Sequence, residues 1–208
     1  MLNNDGYSYQ DGMRRVRVRL FHASPGAPAV DVYLNNIIVA RNLAYKSFTS
    51  YLPLMPGCYH VQIFAAGTMN NPVLEQMVMI PDQDMNTVAV IGQLPNIGLL
   101  LIGPSAAPLI YGKSFVRFVH LSPNAPRVDV AVANGPVLFR NVAYQEITNY
   151  QIPDPGVYTL EVRPAGMDQV VLTVPGVALE ANRFYTVYAV GLLGEEPPLE
   201  AVLAMDME

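Results

Sequence analysis

Cysteine is almost missing from this chain: Cys58 is the single one in 208 residues. One thiol excludes an intrachain disulfide framework and any cysteine-based zinc site built within one chain, so stability has to come from packing. Charge is sparse too. Asp, Glu, Lys and Arg make up 14% of the residues, where roughly 25% is usual for a globular protein, and apolar residues reach 51%. Few charges leave much of the surface neutral or apolar, which favours burial against partners. The net charge is −5 and the basic residues cluster only at Arg14, Arg15, Arg17 and Arg19, so a nucleic-acid partner is not expected. Long apolar runs are also lacking. Nothing approaches the ~20 residues of a membrane span, and the nearest stretch, 97–110, is broken by Gly103, Pro104 and Pro108. No membrane insertion is expected. The N-terminal residues lack the basic start and apolar segment of a secretory signal, so no cleaved signal is expected either.

What the chain does contain, it contains twice. HASPGAPAVDV at 22–32 returns as HLSPNAPRVDV at 120–130, a step of 98, and Asn42-Leu43-Ala44-Tyr45 returns as Asn141-Val142-Ala143-Tyr144 at a step of 99. Tyr51, Pro56-Gly57, Tyr59, Thr87 and Gly92 reappear as Tyr150, Pro155-Gly156, Tyr158, Thr186 and Gly191. A period of this length means two copies of one domain. The expected division is an arm at 1–13, a first repeat at 14–112 and a second at 113–208. No window sustains a helical period, and short runs rich in Val, Ile, Tyr and Phe alternate with Pro, Gly and Asn turns. About seven strands per copy predict an all-β protein of two tandem immunoglobulin-like antiparallel β-sandwich domains. Strands are expected at 48–52 and, in the second copy, at 147–152. The segment 94–113 predicts a last strand and a short packed junction.

Alternation puts Tyr59, Val61 and Ile63 on a core face, with Tyr158, Leu160 and Val162 repeating the choice. The opposite faces differ, Cys58, His60, Gln62 and Phe64 against Val157, Thr159, Glu161 and Arg163, so the copies need not share a partner. The HxSPxAPxVDV segment is a strand end, a proline-ruled loop and the next strand. Pro25, Pro28, Pro123 and Pro126 fix the loop; His22 and His120 share a face with core residues. Ser24 and Ser122 can cap loop backbone, and Asp31 and Asp129 can accept amide hydrogens from the same loop. The competing reading is a Ser–His–Asp triad, or a His/Asp metal pair. No recognisable oxyanion hole or third ligand accompanies it, and its presence in both copies suits a loop that specifies the fold. Cys58 and His60 could supply two metal ligands, which is short of a structural site. No catalytic residue, metal or cofactor is expected.

With these motifs and the Tyr-x-x-x-x-Pro-Gly-x-Tyr spacing, the chain resembles the bacterial family catalogued as domain of unknown function 4397, from about Val16 to about Gly191. The resemblance implies an immunoglobulin-like sandwich, often tandem, in envelope-associated or exported proteins, with no established catalytic residues to carry over. The absent signal departs from conventional export and leaves room for a spore surface. The expected role is a non-enzymatic structural subunit of a cell-surface, extracellular or spore-surface assembly. It would be a homo-oligomer or polymer in which the arm, with Tyr7, Tyr9 and Met13, adds a strand to a neighbour. The alternative is an adhesion or ligand-binding module that holds a glycan, a peptide or another surface protein in loops at one end of a sandwich.

Overall fold

The computed structural model describes residues 14–104 and 107–207. The arm residues Tyr7, Tyr9 and Met13 lie outside the described residues. The first repeat runs β1 (Val16–His22), β2 (Val30–Leu34), β3 (Ile37–Leu43), β4 (Leu52–Leu54), β5 (Gly57–Ala65), β6 (Leu74–Ile80), β7 (Asn86–Gln93) and β8 (Asn96–Ile102). The second runs β9 (Phe115–His120), β10 (Val128–Val132), β11 (Val137–Val142), β12 (Gly156–Pro164), β13 (Leu172–Leu179), β14 (Phe184–Val190) and β15 (Glu200–Met207).

Each repeat folds into two sheets. In the first, β4-β1-β7-β8 faces β3-β2-β5-β6; in the second, β15-β14-β9 faces β11-β10-β12-β13. Pairing is antiparallel except for β1 with β7 and β9 with β14, which run parallel with matching registers. Alternation builds the cores as the residue pattern dictates. Val16, Val18 and Leu20 of β1 meet Val32, Val61 and Ile63 in the first repeat, and Val116 and Phe118 meet Val130, Leu160 and Val162 in the second.

The other face of each central strand is buried as well, because the sandwiches pack on each other. Phe21, Ala89 and Ile91 from the first repeat form one apolar cluster with Val119, Leu121, Tyr188 and Val190 from the second. The result is four stacked sheets, with β1, β7, β9 and β14 buried on both sides. The middle of β7 and most of β14 therefore read as apolar runs. Phe21 stacks on Phe48 at 4.0 Å between centroids and meets Tyr188 at 4.9 Å. Phe21 and Tyr188, both fully buried, each contribute about 1.5–3 kcal/mol, and an apolar interface of this kind holds two domains as one unit. The packed junction predicted for 94–113 is β8 followed by a short connector.

Two predicted strands take another form. The 48–52 run shortens to β4, leaving a single bridge between Phe48 and Phe21. The 147–152 run makes only isolated bridges, Ile147 to Val119 and Gln151 to Val116. A threonine hydroxyl is the cause in both repeats. Thr49 Oγ1 accepts the Leu20 amide and Thr148 Oγ1 the Phe118 amide, each at 2.9 Å, in place of a backbone carbonyl, and the ladder breaks there.

Candidate binding site at the repeat junction

The repeated loop holds the junction in shape. His22 lies at the end of β1 with no exposed surface; its Nε2–H donates to the Pro28 carbonyl at 3.0 Å, and Nδ1 receives the Ser24 amide at 3.4 Å. His120 repeats both contacts with Pro126 and Ser122 at the same distances. Each ring is therefore a neutral imidazole that closes its proline loop across six residues. Burial pushes both histidines below their ordinary pKa, and the bonds to Pro28 and Pro126 offset this in part.

Ser24 and Asp31 go elsewhere. The Ser24 hydroxyl donates to the Gly92 carbonyl at 2.7 Å and so braces the β7–β8 turn. Ser122 is buried, and its hydroxyl has no partner among the described residues. Asp31 accepts amides from outside its own loop, Asn42 at 2.7 Å and Gly67 at 3.0 Å, which hold its carboxyl below the usual range. Asp129 does the same with Asn141 at 2.6 Å and Gly166 at 3.1 Å. The expectation that these carboxylates cap their own loop is thus corrected: Asn42 and Asn141 stand at φ of 50° and 55°, and the carboxylate is what satisfies such a left-handed bend. Histidine, serine and aspartate do not converge as a triad. Among the described residues no group of three or more His, Cys, Asp or Glu could hold a metal. His60 Nε2–H donates to the Glu75 carboxylate at 2.7 Å on the outer face, which also carries the exposed Cys58.

At the interface centre lies a buried polar group. Asp206, near the end of β15, receives Arg19 of the first repeat at 2.8 Å and Arg117 of the second at 3.3 Å, with all three side chains under 9% exposed. Tyr150 donates to the same carboxylate at 2.8 Å and Thr186 also reaches it. Arg19 and Arg117 are equivalent positions; each donates to its local threonine, Thr87 or Thr186, and to a carbonyl across the junction, Met205 or Gly103. One carboxylate thus serves two arginines, whose remaining charge rests on the faces of Phe48, Tyr51 and Tyr150.

Where the braced β7–β8 turn meets the second repeat, a cleft of about 420 Å³ opens. Gly92, Gln93, Leu94 and Asn96 form one wall, and Pro123, Tyr144 and Gln145 the other. Gly92 stands at φ +83°, and a Cβ there would lie 2.3 Å from the Asn96 carbonyl oxygen, so the turn requires glycine. Opposite, Tyr144 packs edge-on to His120 at 6.3 Å, while Gln145 sits exposed at φ +67° in a tight bend closed by the Glu146 amide on Ala143. Burial pushes the Tyr144 phenol upward. No ionisable acid or base other than this phenol lines the cleft.

The equivalent place on the other side of the junction is built differently. Between Gly191 and β15 the second repeat carries the longer turn Leu192-Leu193-Gly194-Glu195-Glu196-Pro197-Pro198, with Leu192 buried and its amide on the Pro197 carbonyl at 2.9 Å. Lys46, the counterpart of Gln145, is tied to Glu200 at 2.6 Å. Burial raises the Tyr45 phenol there to about 12.

Sequence reasoning marked Pro123 as a loop former and missed Gln93, Asn96 and Gln145. The available signal was their failure to repeat beside neighbours, Gly92 and Tyr144, that do.

A family model described as a domain of unknown function (DUF4397) matches residues 16–131 and again 126–207. No curated protein matches. Among solved structures, the family 26 carbohydrate-binding module of Eubacterium rectale Amy13K, solved with maltoheptaose, aligns over 93% of this chain and 97% of its own at 8% identity, with a TM-score of 0.28. A Bacteroides fragilis protein assigned provisionally to cell adhesion aligns over the same shares at 12% identity and a TM-score of 0.19. Neither likeness bears on function.

Proposed function

Because this chain belongs to the DUF4397 family, in two tandem copies whose family description carries no function, we propose from its geometry that it is a binding or adhesion module of a bacterial cell surface or extracellular space. The carrying observation is the cleft at the repeat junction, to which both sandwiches contribute a loop and which a buried apolar interface holds open. Loops on a rigid scaffold are where such domains bind. The side chains that could have served catalysis, His22, Ser24 and Asp31, are each engaged with separate backbone groups. No helix among the described residues is long and apolar enough to cross a membrane.

Assembly through the arm at 1–13 is the second reading. Co-sedimentation of the purified chain with bacterial envelopes tests the module reading. Saturable binding by a monomer supports the module; no binding, with growth of filaments seen by light scattering and electron microscopy, overturns it in favour of the structural subunit.

A further inference from the structure

We infer that the junction cleft is a single saccharide subsite, selective for a neutral, hydroxyl-rich ring over an anion. The inference rests on the module reading above and names the ligand class. Three observations carry it.

The first is the lining. Gln93, Asn96 and Gln145 bring three amides into one cleft, each with a two-hydrogen donor and a carbonyl acceptor. Neighbouring ring hydroxyls each donate and accept, which an amide satisfies from one plane; a phosphate or carboxylate offers acceptors only and would leave the three carbonyls facing it unpaired. Tyr144, Pro123 and Leu94 add apolar surface suited to the C–H face of a ring. The second is charge. No Lys or Arg lines the cleft, and the chain carries −5, so an anionic ligand would find no cation in the lining. Glu146, beside Gln145, is engaged with the Ala143 amide at 2.8 Å and with Arg127 at 3.8 Å. The third is shape. About 420 Å³ lies within the usual range of roughly 300–1,000 Å³ for small-ligand sites, though most of those are apolar. Polar lining at that size suits a sugar ring better than a hydrophobic ligand.

The pseudo-symmetry of the molecule sets the stoichiometry. The equivalent position carries buried Leu192 and the Lys46–Glu200 ion pair in place of the Gln93 and Gln145 amides, so one such subsite per chain is expected.

The test is an amide-resolved NMR titration of the full chain with short neutral gluco-, manno- and galacto-oligosaccharides, a sialylated oligosaccharide and a proline-rich peptide as separate probes. At least one neutral sugar is expected to shift Gln93, Asn96 and Gln145 at one site per chain. Asn96→Ala and Gln145→Ala, both at exposed positions that leave the fold intact, should each weaken binding roughly tenfold, the loss of one ligand hydrogen-bond set. Asn149→Ala, on a separate groove of the second repeat, should leave it unchanged. Shifts centred on Asn149, a preference for the sialylated sugar, or a response to the peptide alone would each overturn the inference. So would envelope binding that neither cleft substitution weakens, and in that case the module reading would stand without it.

Discussion

Removing the Asp206 carboxylate should be among the most damaging single changes in the molecule. It leaves Arg19 and Arg117 inside the interface with no anion, and it strips a partner from Tyr150 and Thr186. Breaking a buried pair from one side costs about 3–5 kcal/mol, because the other charge stays buried and unpaired. Two cations depend on this carboxylate, so Asp206→Ala should fall at the upper end, against a total stability of about 5–15 kcal/mol. The carbonyls of Met205 and Gly103 and the aromatic faces remain to hold part of the charge, which keeps the loss from growing further. At about 2–4 °C per kcal/mol for a chain of this size, the melting temperature should drop by about 10 °C or more. Urea unfolding followed by far-ultraviolet circular dichroism measures it. Asp206→Asn, which keeps acceptor geometry and loses charge, should lie between wild type and alanine. Replacing the set together, Arg19→Met, Arg117→Met and Asp206→Leu, should recover much of the loss. A change below about 1 kcal/mol for Asp206→Ala would refute the buried-hub reasoning.

Gly92→Ala places a Cβ against the Asn96 carbonyl at a φ that L residues rarely take, and should cost about 1–3 kcal/mol in thermal unfolding while abolishing ligand binding at the cleft. The two buried histidines should make stability fall on acidification. Their native pKa values are lowered, so the unfolded chain takes up protons first. Their contribution is complete above about 6.5 and is lost as pH falls from there towards the native values. Urea midpoints between pH 7.5 and pH 5 check this, and His22→Gln combined with His120→Gln should flatten the dependence. Asp84, held at about 2 by Arg17, and Asp31 lose their contributions only below the ordinary aspartate range, in a separate, more acidic window. Asp31→Ala frees the amides of Asn42 and Gly67 and should cost about 1–3 kcal/mol in urea unfolding.

Much of the architecture is legible because its causes are local. Period-two alternation in Tyr59, Val61 and Ile63 and the proline loops after His22 and His120 fix strands and turns within a few residues of themselves. Where a hydroxyl substitutes for a carbonyl, as at Thr148, alternation still reads as a strand although the ladder breaks. The interface is harder. Arg19 reads as one of a basic run, and its pairing with Asp206 spans 187 positions and leaves no local trace. The recurrence of Tyr51 as Tyr150 and of Thr87 as Thr186 was the visible sign that a polar set repeats, and Arg19 with Arg117 belongs to it. The cleft follows the opposite logic. Its walls are repeated residues, but its chemistry comes from places where the copies diverge, Gln145 against Lys46 and a short turn against a long one.

The most direct test is a crystal structure of the full chain with the tightest-binding neutral oligosaccharide. A sugar ring seated between Asn96 and Gln145, once per chain and with the four sheets unchanged, is the predicted result. Density for the sugar on an outer sheet face or at the far loop end, with the junction cleft empty, would contradict the account.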